Sequence, residues 1–309
     1  MKALVAAVCI SAFLIFSDRQ ALIAYAGRIS LLTWIAITTL AATQIFITAV
    51  RWWVILSSRV SKLPFVRILE FHLIGLLVNS FLLSGLGTMV VRAGLATRLQ
   101  IPIATGAASV ITDKVVALSG LALLILLSAP AFLIQRGQFL NPAFEGLTTW
   151  AAPAFALMVL GALMVFVIPV APGLRSGCIK IAAETGRVCR DMARDPAMVV
   201  RALALTIFGQ TFLFLAAFVI ANGMGIDVAF WQLLMVLPSV SFLASIPITI
   251  GGWGVREGAM IFGLSLLGVD YEAALTLSIV LGIASTLAIL PAGLLCRTLV
   301  QMDTKMLLR

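Results

Sequence analysis

Four stretches of this chain, residues 31–50, 147–170, 202–221 and 272–296, are each twenty residues or more in length and almost free of charge. A bilayer's hydrocarbon core, about 30 Å thick, is crossed by roughly 20 apolar helical residues. With no water there to satisfy N–H and C=O groups, only helices or closed barrels span it. Runs this long exceed the ~10 residues of a barrel strand and lack alternation, so the sequence predicts an all-α polytopic membrane bundle. The composition agrees: 62% of residues are hydrophobic and 11% charged, against roughly 25% charged in a soluble domain. No polar stretch could hold a soluble domain, so residues 1–309 read as a single transmembrane domain.

In a soluble chain the net charge of +9 would point to nucleic acid; here the basic residues gather between apolar runs and report topology instead. Arg51, Arg59, Lys62 and Arg67 form one basic segment, and Arg175, Lys180, Arg187, Arg190, Arg194 and Arg201 dominate another over 171–201. By the positive-inside rule both are cytoplasmic, and Lys2 and Arg297, Lys305 and Arg309 place the two termini there too, in a multi-pass protein of the inner membrane. The first apolar run reads as an uncleaved span, because Asp18 and Arg19 stand where a cleavage region is neutral and small. Residues 17–30 follow as a short surface helix. Arg51, Trp52 and Trp53 read as the end of the span over 31–50, with rings suited to the headgroup layer, and Trp231 as a similar anchor. A further span is expected over 107–133, with a polar connector over 135–145. Leu174, Cys178, Ile181, Val188 and Met192 recur at helical spacing, which makes 171–201 a basic amphipathic helix on an anionic leaflet or a solvated topogenic loop.

Two basic segments on one side require an even number of crossings between them, yet three apolar runs intervene. Residues 68–105, broken by Gly85, Gly87, Gly94 and Pro102, are therefore expected to turn back as a broken or re-entrant hairpin. The same counting applies to 231–267, which contains PITIGGWGVREG at 247–258: a helix breaker, four glycines and two opposite charges among apolar runs. Irregular backbone at membrane depth survives only under cover of protein or a wet cavity, so such a spot marks a pathway. The two regions share a short likeness, SFLLS at 80–84 with VRAG at 91–94 and SFLAS at 241–245 with VREG at 255–258. Entering from opposite faces, they make 68–133 and 231–296 the halves of an inverted repeat, a plan that places binding sites between paired interrupted segments.

In that site Arg92 and Arg256 are the natural ligands of a phosphate, since a guanidinium stays charged and offers a planar fork of donors. Asp113 and Glu257 are counter-charges, Lys114 either joins the site or snorkels to the nearer surface, and Gly251, Gly252 and Gly254 are expected among the substrate-binding residues. Helices starting after Gly87 and Gly254 would add aligned N–H groups. The competing reading is that these charges form internal ion pairs that stitch the bundle. A metal or haem centre is not expected: His72 is the single histidine, and Cys9, Cys178, Cys189 and Cys296 form no close pair. No nucleophile, base and orienter set is visible, and the glycine clusters lack the context of a nucleotide loop, so neither an enzyme nor a cofactor is expected.

Arg51 and Trp52, the glycine-arginine element ending at Arg92, the acid-base pair Asp113 and Lys114 opening a helix, and above all 246–258 continuing through LLGVDYEAA at 266–274 resemble the flippase-like transmembrane region of lysylphosphatidylglycerol synthases and its stand-alone relatives. The resemblance covers essentially the whole chain. It implies a membrane protein that moves a lipid between leaflets; the synthase activity belongs to a fused soluble domain that this sequence does not contain. The expected function is translocation of an anionic phospholipid or lipid-linked head group. The alternative is a non-transporting scaffold that recruits a lipid-modifying or glycosyl-transferring enzyme through 174–194.

Overall fold

A computed structural model describes residues 17–60, 62–81, 86–139, 175–245 and 254–291; side chains at 80–87, 129–139 and 175–179 are not described. The described residues are helical and contain no strand: α1 (Arg19–Gly27), α2 (Leu31–Ser57), α3 (Phe65–Phe81), α4 (Leu86–Ala96), a 3-10 turn at Thr97–Leu99, α5 (Ile103–Phe139), α6 (Arg175–Arg194), α7 (Pro196–Met224), α8 (Phe230–Ala244), α9 (Val255–Ser265) and α10 (Tyr271–Ile289). The expected spans near the N-terminus and over 147–170 lie outside these residues, as do Gly251 and Gly252.

Local chemistry sets the helix starts. Asp18 accepts from the Gln20 amide at 2.9 Å, Ser30 from the Thr33 amide at 3.2 Å, and Asp195 from the Met198 amide at 3.2 Å with Pro196 beginning α7. Each cap satisfies a donor that an uncapped helix leaves open. Helix α1 is the short helix expected over 17–30, and α6 is the expected amphipathic helix.

Among the described residues, α2, α5 as far as Ser128, α7 and α10 are long and apolar enough to cross a membrane. The protein is thus a multi-pass membrane protein. Large apolar side chains face outward along these helices, among them Leu31, Leu32, Ile35, Leu126, Leu127, Phe208 and Leu287. In water such a surface would be a liability, whereas in hydrocarbon it costs nothing.

Between these spans lie two pairs of shorter helices. At about 1.5 Å per residue, α3 (17 residues) and α4 (11 residues) reach only ~25 and ~16 Å, and α8 (15 residues) and α9 (11 residues) only ~22 and ~16 Å, all short of a ~30 Å core. Within each pair the two helices pack on one another, and the second packs on the long helix that follows, α4 on α5 and α9 on α10. These are the broken hairpins that the glycine interruptions predict.

The core has corresponding parts. Trp52, Leu56, Ile68, Phe71, Ala96, Ile101 and Val110 are buried around α3 and α4. A larger cluster joins Phe214 and Ile220 of α7 to Leu233 and Phe242 of α8, Met260 and Leu264 of α9, and Leu277 and Leu281 of α10. Helices α2 and α7 pack along each other.

Several boundaries differ from expectation; the span expected over 202–221 runs from Pro196 to Met224, and the helix expected after Gly87 already begins at Leu86. The span predicted over 31–50 continues to Ser57, because Val54, Ile55 and Leu56 after the Arg-Trp-Trp cluster extend its apolar face. Helix α5 begins at Ile103 and carries its backbone through Phe139, so the connector expected from 135 starts as helix. Asp113 consequently sits in the third turn of α5.

Candidate functional site

Arg51 is the residue whose placement departs furthest from the sequence reading. It is only 5% exposed and Trp52 is fully buried, so neither marks a headgroup layer. Each lies within α2, where the next turn is apolar and packed. The Arg51 Nε donates to Asp113 Oδ1 at 2.8 Å and its Nη1 to Thr206 Oγ1 at 3.0 Å. From α4, Arg92 Nη2 donates to the other oxygen of the same carboxylate, Oδ2, at 3.1 Å. Asp113 is 4% exposed and Arg92 5%. Four helices, α2, α4, α5 and α7, are thereby tied at one carboxylate.

Two further contacts orient the Arg92 guanidinium. Its Cζ lies 3.9 Å from the centre of the Trp52 ring, a cation–π stack worth ~2 kcal/mol once desolvated. The Trp52 indole is itself fixed, its Nε1 donating to Ser109 Oγ at 3.1 Å. Gly75 of α3 lies against the aliphatic part of Arg92. His72 bonds Thr48 Oγ1 through Nε2 at 3.1 Å and tilts against Trp52 with ring centres 6.5 Å apart. The Nε of Arg92 and the Nδ1 of His72 are buried and have no hydrogen-bond partner among the described residues. Lys114, next to Asp113, is half-buried and forms no ion pair among the described residues.

Among the described residues, this cluster holds two guanidinium groups against one carboxylate. At membrane depth an ion is tolerated only when paired or solvated, and the Asp113 carboxylate offsets one of the two. The arrangement therefore keeps a positive charge inside the bundle, backed by an aromatic face.

A second cluster sits at the start of α9. Gly254 has φ +88°, a left-handed conformation that glycine adopts without strain, and it lets the chain turn into the helix. Glu257, 1% exposed, reaches back to accept from the Gly254 amide at 2.5 Å, which is the reciprocal half of a capping box. Its other oxygen accepts from Arg256 Nε at 3.0 Å and Nη2 at 2.6 Å, and from Ser278 Oγ of α10 at 3.3 Å. The Arg256 side chain remains 18% exposed. Gly282 of α10 faces this guanidinium so closely that a Cβ there would overlap its terminal nitrogens. Gly282→Ala is accordingly expected to displace the Arg256 head, lowering the melting temperature by about 3 °C at a cost of about 1 kcal/mol, with the helical spectrum unchanged.

Of the residues that the sequence singled out, Arg92 meets Asp113, and Arg256 meets Glu257 and stands beside Gly254. The two groups are carried by different helix sets, α2, α4, α5 and α7 for the first and α9 and α10 for the second. Sequence reasoning read Arg51 and Trp52 as a headgroup anchor, and it missed Thr206, Ser278 and Gly282. The apolar turn after Arg51 was the available signal for the first two; the others are ordinary residues whose roles come from packing.

A family model, the lysylphosphatidylglycerol synthase TM region, matches residues 2–293, all but the two ends of the chain. The protein belongs to that family. Membership places it among membrane proteins associated with lipid modification, and the two charge clusters lie within the matched region. Comparison with curated proteins finds no match.

Proposed function

We propose that this protein is a flippase-like translocator, not an enzyme, that moves an anionic phospholipid or lipid-linked head group between the leaflets of the inner membrane. The observation that carries the reading is the surplus positive charge buried where α2, α4, α5 and α7 meet: Arg51 and Arg92 share the single carboxylate of Asp113, and the Nε of Arg92 is enclosed without a hydrogen-bond partner among the described residues. For a purely structural stitch, a second buried guanidinium brings a desolvation cost of several kcal/mol that a shared carboxylate and one stacked ring offset only in part. A phosphate would balance it and take up its open donor. The two hairpins, related as an inverted repeat with both termini cytoplasmic, supply the two sides of the route, with Arg256 as a third guanidinium, Glu257 as its counter-charge when no lipid is bound, and Lys114 at the margin.

Reconstituted vesicles test the reading. Wild-type protein is expected to accelerate exchange of a lipid with an anionic phosphate head group by about tenfold or more over protein-free vesicles, and that of a zwitterionic lipid far less. A scaffold for a lipid-modifying or glycosyl-transferring enzyme would accelerate neither, and that result in every lipid mixture would overturn translocation.

A further inference from the structure

A second basic feature lies away from the buried clusters, at the polar end of α2. Arg59, just beyond that helix, and Arg187, Arg190 and Arg194 of α6 line a cleft of about 270 Å³ together with Asp191. The three α6 arginines fall at i, i+3 and i+7, on one face of the helix. The opposite face is glued down: Val188 and Met192 are buried against Ile55, Ala108, Val116 and Met198. The helix is therefore seated firmly, with its guanidinium groups turned to the cleft.

Among the described residues, two acids face these four cations. Asp191 pairs with Arg59 Nη2 at 2.8 Å, and Glu184 with Arg187 Nη1 at 3.3 Å. Among the described residues, two positive charges remain in excess. Arg190 Nε donates to the Gly186 carbonyl at 3.2 Å, which steadies its head without neutralising it. The Nε of Arg59 is enclosed and has no hydrogen-bond partner among the described residues. At about 30 Å³ per water, the cleft has room for a phosphate group and several waters.

We infer that this cleft binds the phosphate of an anionic lipid, a site separate from the buried clusters and independent of translocation. An apolar groove that begins five residues back along the chain from Arg59 favours a lipid over a free ion. Val54, five residues before Arg59 on α2, opens an apolar groove lined by Ala204, Leu205, Ile207, Phe208 and Thr211 of α7, with Arg201 at its polar end. Phe208 is 56% exposed in that groove. A head group held by the arginines places an acyl chain along it, down the side of the spanning helices.

The test is equilibrium binding of acyl-labelled phosphatidic acid to the purified full chain in detergent, with acyl-labelled phosphatidylcholine as the zwitterionic control and inorganic phosphate as competitor. The double variant R187Q/R190Q is expected to bind phosphatidic acid about 30-fold more weakly, and the charge-matched R19Q/K180Q, away from the cleft, less than about threefold. Should the double variant fail to elute as a single species, Arg59→Gln, expected to weaken binding about fivefold, replaces it. Equal losses in the cleft and control variants, equal binding of the two lipids by the wild type, or inorganic phosphate bound as tightly as phosphatidic acid would each overturn the site. No leaflet exchange enters the measurement, so a protein that binds at the cleft and moves no lipid contradicts the translocation reading alone.

Discussion

Replacing Asp113 with Ala destabilises the protein by about 3 to 5 kcal/mol, the cost of leaving buried charge without its partner. In a chain of this size that lowers the melting temperature in detergent by about 10 °C. The reason is the number of elements gathered at one carboxylate: Arg51 of α2 and Arg92 of α4 both end on it, and Arg51 carries the tie on to Thr206 of α7. Without Asp113 two guanidinium groups face each other in a bundle interior with no anion between them. A matched substitution separates charge from shape. The double variant R51Q/D113N removes one charge of each sign and is expected to lose less than the sum of the two single changes, because the sites are in direct contact and couple. A strictly additive double variant would show that the ion pair contributes nothing to the fold.

Glu257→Ala has the second large effect, about 3 kcal/mol, read as a loss of melting temperature and of helical signal at a fixed temperature. Among the described residues, four donors converge on this carboxylate: the Gly254 amide, two nitrogens of Arg256 and the Ser278 hydroxyl. One bond closes the N-terminus of α9, one ties α9 to α10, and two hold the guanidinium. Glu257→Gln keeps the shape and the capping contact, so it is expected to recover about half of the loss. Equal destabilisation by the two substitutions would show that charge is the whole contribution.

The helical class and the two interruptions were legible because they follow from rules that hold all along the chain. Twenty uncharged residues must be helical in hydrocarbon, and a cluster such as 247–258 cannot continue a helix. The local partnership of Arg256 with Glu257 was equally visible, since neighbouring residues need no knowledge of the fold. Asp113 could be named as a counter-charge, but its choice of Arg51 in addition to Arg92 depends on how α2 passes α5, which no local pattern encodes. Arg51 was misplaced for a definite reason. A charge beside two tryptophans at the end of a twenty-residue run has the composition of an interface belt, and tertiary packing overrode that rule by carrying α2 two further turns into the bundle. Gly282 and Ser278 carry no signature at all; their importance comes from the helix that lies opposite.

Leaflet exchange by the variant Arg256→Gln, measured against wild type in vesicles holding equal amounts of folded protein, tests the central claim most directly. The substitution leaves donors for Glu257 and removes only the charge and the fork, so the fold is expected to survive. If the guanidinium groups of the two hairpins carry an anionic head group across, exchange of the anionic lipid falls by about tenfold or more. Exchange at the wild-type rate, by a variant that melts at the wild-type temperature, would contradict the account.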